Sequence, residues 1–91
     1  MSMTRTELAA ASDTLREAAN AASADLATRL EEQAETVADL AERATGPDHG
    51  RLARLEHSLR DIQRAADENV SRRIDTALEE IRAYRETVEG V

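Results

Sequence analysis

Apolar residues recur along this chain three and four positions apart, in four successive blocks, with polar residues filling the places between. Leu8, Ala11, Ser12, Leu15, Ala19 and Ala22 share one face of a first helical segment. In the second, Leu26, Leu30, Ala34, Val37, Ala41 and Ala44 do the same, with Leu40 at the edge. Leu52, Leu55, Leu59, Ile62 and Ala66 form the cleanest stripe, and Val70, Ile74, Ala77, Leu78, Ile81 and Val88 a fourth. The pattern predicts helices over about 4–22, 24–45, 49–66 and 69–89.

Chain-breaking residues support those boundaries. Gly46-Pro47-Asp48-His49-Gly50 holds all but one of the Gly and Pro residues and reads as the central hinge between a front and a back pair of helices. Thr4 and Glu7 make a capping box at the start of the first helix. Ser23 can cap the second, with Asp25 in its first turn, where the positive end of the helix dipole favours an acid. Asp48 is a natural cap for the third, Asp67-Glu68-Asn69 for the fourth, and Gly90 a C-terminal stop. No Gly or Pro separates the first two segments, so the alternative is three helices with those two continuous. The fold class is all-α: an antiparallel bundle, of four helices in the first reading, in a single domain over 1–91.

Composition changes this picture in two ways. The apolar residues include eighteen Ala and sixteen Leu, Ile or Val, and Tyr84 is the sole aromatic. Such a core is thin and suits close-packed helices. The first helix offers only Leu8 and Leu15 as large side chains on its face, which marks it as the expected weakest-packed element and makes self-association attractive. Charge is the second change: 19 acids face 12 basic residues, all of them Arg, for a net of -7. The second segment is the most acidic, while the third is basic through Arg51, Arg54, Arg60 and Arg64, so the two should lie side by side with complementary charge.

Several chemistries lack their residues. There is no Cys, hence no disulfide, thiol nucleophile or Cys-ligated metal. No Glu-x-x-His occurs, which disfavours the di-iron type of bundle site. No phosphate loop, Ser/His/Asp set or paired-carboxylate cleft can be argued. The expectation is a non-enzyme with no cofactor and no metal. No run is apolar enough to cross a bilayer, and the chain is expected to be soluble and cytoplasmic.

Six residues stand out as candidates for interaction: Asp48, His49, His57, Arg60, Tyr84 and Arg85. His49 sits beside the hinge, where a histidine could meet an anion or a metal, although a solvated loop position explains it as well. His57 falls opposite the Leu52/Leu55/Leu59/Ile62 stripe and should face solvent. Arg85 interrupts the apolar face between Ile81 and Val88, so it either marks a partner site, pairs with a buried acid or extends its stem outward. Tyr84, at the edge of that face, is either an interface anchor or a seal on the end of the bundle. Ser12 and Gln33 also fall on inward faces, where polar groups can fix register. The Arg cluster of the third helix supports nucleic-acid binding as a second alternative, against a net negative charge and a near absence of stacking aromatics.

Two resemblances bear on function. His57-Ser58-Leu59-Arg60 is similar to the His-x-Leu-Lys core of histidine phosphotransfer domains, which implies a phosphoryl-accepting imidazole steadied by a cation one turn on. Asp61 departs from that pattern, because those domains carry a small residue there and an acid repels phosphate. The runs 46–54 and 83–91 resemble a family of small acidic helical proteins from haloarchaea. That resemblance implies a cytoplasm of molar salt and brings no activity; the Lys-free, acidic composition likewise resembles that of proteins from a high-salt cytoplasm. The resulting expectation is an interaction module that forms a dimer or engages another protein, with phosphotransfer through His57 as its first alternative and no role at a membrane.

Overall fold

The computed structural model describes residues 4–42 and 49–89, with side chains over 6–42 and 49–86. The described residues form α1 (Thr4–Ala21), α2 (Ala24–Glu42), α3 (His49–Ala65) and α4 (Glu68–Glu89). The first two segments are separate helices, so the four-helix reading holds and the continuous alternative does not. The antiparallel helices form a ring in which α1 neighbours α2 and α4, and α3 neighbours the same two from the far side.

Both described turns are built alike. Ala22 N–H donates to the Ala19 carbonyl (3.2 Å) and Ala66 N–H to that of Gln63 (3.1 Å), tightening the last turns of α1 and α3. A capping residue follows at once. The carbonyls of Ser23 and Asp67 take the first bonds of α2 and α4, from Ala27 N–H (2.7 Å) and Ser71 N–H (2.8 Å). The Asp67 carboxylate also accepts from Val70 N–H at 2.9 Å, satisfying a donor that the helix start leaves without a partner. The Thr4 side chain and the residues Gly46, Pro47, Asp48 and Gly90 lie outside the described set, as do Ala44 and the Val88 side chain. α3 nonetheless begins at His49, one residue after the predicted cap.

The four apolar stripes converge on one core. Leu8, Ala11, Leu15 and Ala19 of α1 are buried against Leu30, Ala34, Val37 and Leu40 of α2, the Leu52/Leu55/Leu59/Ile62 stripe of α3, and Val70, Ile74, Ala77, Leu78 and Ile81 of α4. Ala18 joins them although it was not assigned to the face, while Ala22, Leu26, Ala41 and Ala66 pack at the margin.

The expectation for α1 is overturned. Its backbone approaches α2 and α4 far more closely than α3 approaches either neighbour. Small side chains explain this: Ala11, Ala18 and Ala19 let the neighbouring helix axes close in, and each is at most 3% exposed. Ser12 belongs to the same seam. Its hydroxyl is buried and donates to the Ala34 carbonyl of α2 at 2.9 Å, a bond that only a close approach allows.

Candidate functional site

The polar residues that cross the bundle are the natural place to look for a site, because their side chains are aimed rather than merely solvated. On the α4 side of α3, Arg60 Nη1 donates to Gln63 Oε1 at 3.0 Å and to Asp75 Oδ1 at 3.3 Å. Gln63 Nε2 reaches the same Asp75 oxygen at 2.8 Å and the Ser71 carbonyl at 3.0 Å. Farther along the seam, Arg85 Nη1 meets Glu56 Oε2 at 3.0 Å, with both side chains less than a third exposed. These contacts clamp α3 to α4. Beside them runs a groove of about 200 Å³ lined by Glu56, Arg60, Asp75, Leu78, Glu79 and Arg82.

The α1–α4 seam carries two lighter polar links. The Thr14 hydroxyl lies 2.9 Å from Glu80 Oε1 and 3.0 Å from the Ala10 carbonyl, and Arg73 Nη1 lies 3.2 Å from Glu17 Oε1. Between α1 and α2 a shallow groove of about 410 Å³ is lined by exposed Ala9 and half-buried Ala38 and Ala41 around Ser12, with Asp13, Arg16 and Glu42 at its rim. Across from it, between α2 and α3, a third groove of about 250 Å³ is lined by Gln33, Thr36, Leu55 and the Arg51, Arg54 and Ser58 side chains.

Against this frame the candidate residues separate. His57 is exposed on the outer face of α3, as its position on the helix predicts. Arg60, one turn on, is turned away into the clamp with Asp75, and Asp61 pairs with Arg64 at 3.5 Å. The imidazole therefore has no free cation from this pair beside it. His49 is exposed in the first turn of α3, and its neighbour Asp48 lies outside the described residues. Tyr84 is only 6% exposed and packs in the core, so its ring closes the bundle and is not a surface anchor. Of the readings open for Arg85, pairing with an acid is the one found, and the acid is Glu56. Arg60 and Arg85 thus share one seam, whereas His57 points away from it.

The expected charge match between α2 and α3 takes a different form. The cross-helix pairs Arg60–Asp75 and Glu56–Arg85 join α3 to α4. Where α2 meets the Arg-bearing flank of α3 it presents Gln33 and Thr36, while Glu31, Glu32, Glu35 and Asp39 are exposed. Periodicity places a residue on a face of its own helix, but the partners here are 8 to 66 positions apart and lie on other helices, which no helical periodicity reveals.

Among the described residues no group of three His, Asp or Glu side chains is placed to share a metal ion. None of the described helices is long and apolar enough to cross a membrane. No curated protein and no solved structure matches the chain. A family model matches residues 3–87, nearly the whole sequence, and on that match the chain belongs to the family of unknown function DUF7553.

Proposed function

We propose that this protein is a non-enzymatic helical interaction module that works by self-association in a salt-rich cytoplasm. The observation that carries the reading is the α1/α2 groove. The small side chains that let these helices approach also leave Ala9, Ala38 and Ala41 at its surface. At its rim Asp13 and Arg16 stand one turn apart, and neither forms an ion pair among the described residues. A two-fold axis over such a face would set the Arg16 of each copy against the Asp13 of the other, as an isologous contact requires.

Sedimentation equilibrium in molar KCl tests this. The wild type should dimerise, Arg16→Asp should weaken the dimer, and Asp13→Arg combined with Arg16→Asp should restore it. A monomer at every concentration, with no protein captured from native lysate, would remove the reading. The acidic surface supplies a second check. Exposed carboxylates such as Glu31, Glu35 and Asp39 repel one another at low ionic strength, and a Debye length of about 3 Å at 1 M salt screens them. The melting temperature should rise from low to molar KCl, and a flat or falling response would dispose of the salt-rich setting. Acid-labile phosphate on His57 after treatment with a small phosphodonor, absent from His57→Ala, would favour phosphotransfer instead.

A further inference from the structure

The two flanks of α3 are chemically unlike. Toward α4, Glu56, Arg60 and Gln63 are all engaged by partners on that helix. Toward α2, Arg51, Arg54 and Ser58 stand across from Gln33 and Thr36, with Leu55 between them, around a groove of about 250 Å³. None of these six residues is an acid, in a chain whose net charge is -7. The other grooves that hold an Arg also hold carboxylates: Arg60 and Arg82 lie with Glu56, Asp75 and Glu79, and Arg16 with Asp13 and Glu42.

Three donors here are also unspent. The Arg54 guanidinium, the Gln33 amide and the Ser58 hydroxyl make no hydrogen bond or ion pair with any described residue. The Thr36 hydroxyl donates to the Glu32 carbonyl at 3.1 Å, so its proton is already committed. Arg54 is thus a cation of this flank with no described acid paired to it. The flank provides the donors that an oxyanion requires.

We propose that this groove binds a small phosphoryl oxyanion, either inorganic phosphate or the phosphoryl end of a small metabolite. The planar fork of Arg54 matches two oxygens of such a group, and Gln33 and Ser58 supply further donors from the two walls. Leu55 is buried at the base and excludes water from one side. The volume lies just below the usual 300–1,000 Å³ range of small-molecule sites, which suits a phosphoryl group with little attached to it. Net negative charge opposes the approach of any anion, but that field is screened within about 3 Å at 1 M salt, so the local donors decide the outcome.

The test is a titration of the full chain with inorganic phosphate, and separately with ribose 5-phosphate, at constant ionic strength in KCl. It is followed by NMR of the backbone, Gln amide and Arg Nε signals. The expected result is saturable shifts confined to the residues lining this groove and largest at Arg54, Gln33 and Ser58, with binding weakened about tenfold or more in Arg54→Gln, the loss of one charge-assisted contact. Arg82→Gln, which alters an Arg in the acid-lined groove, should bind as the wild type does, and matching melting curves show that both variants fold. Tighter binding of ribose 5-phosphate identifies a phosphorylated metabolite as the ligand, and equal or tighter binding of phosphate identifies the free ion. Shifts that never saturate and spread equally over Arg16, Arg54 and Arg82, or binding unchanged in Arg54→Gln, would overturn the proposal.

Discussion

α1 and α3 stand on opposite corners of the bundle and fill it in opposite ways. α1 buries Leu8 and Leu15 together with the single methyl groups of Ala11, Ala18 and Ala19, and α2 and α4 close in on it. α3 buries Leu52, Leu55, Leu59 and Ile62, and these side chains hold it away from α2 and α4. The core is continuous from one corner to the other. What differs is where the stabilisation lies: in large apolar side chains at α3, and in many close backbone and Cβ contacts at α1.

This contrast predicts opposite responses to changes of side-chain size. Leu59→Ala removes a fully buried side chain from α3 and leaves a cavity between helices already held apart, at a cost of about 2–5 kcal/mol. For a domain of this size that lowers the melting temperature by roughly 10 °C or more. Ala18→Leu does the reverse at α1, forcing extra carbons into a seam with no room for them, and should cost about 1–3 kcal/mol. Ala65→Leu, on the exposed side of α3, should stay within about 0.5 kcal/mol of the wild type. Denaturant melts of the three variants decide the matter. If Ala18→Leu proved as harmless as Ala65→Leu, the α1 seam would not be tight and the comparison would collapse.

How far the sequence reveals this arrangement differs between the two helices. The α3 stripe is legible residue by residue, because Leu52, Leu55, Leu59 and Ile62 contrast sharply with the Arg and Glu around them. On α1 the contrast is weak. Ala18 looks like any other alanine, yet it is fully buried while Ala9 is exposed. Judging α1 by the size of its own side chains also misplaced it, since packing density belongs to a pair of helices and not to one. The turns were readable from Ser23 and Asp67, whose capping chemistry is local. The clamp was not: Arg85 announced itself as a charge on an apolar face, but nothing in its neighbourhood pointed to Glu56 on another helix. The groove bearing Gln33, Arg54 and Ser58 likewise depends on the register of α2 against α3.

The α3/α4 clamp sharpens the comparison further, because its Arg85–Glu56 pair is half-buried where the Arg73–Glu17 pair at α1 is more exposed. Glu56→Gln leaves the Arg85 guanidinium half-buried beside a neutral amide. The expected loss is about 1–2 kcal/mol, between the values for exposed and buried pairs. The Arg72–Glu68 pair is shorter, at 2.7 Å, but its side chains are more than three-quarters exposed. Arg72→Gln should therefore cost well under about 1 kcal/mol. A double-mutant cycle on each pair measures the difference, and equal coupling energies would show that burial does not distinguish them.

A smaller effect than that of Glu56→Gln probes the α1 seam at its buried polar residue, Ser12. Ser12 Oγ donates to the Ala34 carbonyl at 2.9 Å, yet that carbonyl lies inside α2 and already accepts the helical bond of its own strand of chain. Ser12→Ala thus removes a second bond without leaving a buried group unsatisfied, and costs about 0.5–1.5 kcal/mol. Alanine keeps the seam narrow, so the oligomeric state and the helix content should not change. Ser12→Val loses the same hydrogen bond and adds bulk where the two backbones are closest, and should cost distinctly more than Ser12→Ala. Equal costs for the two would mean that the hydroxyl, and not the close approach, is what α1 contributes at this point.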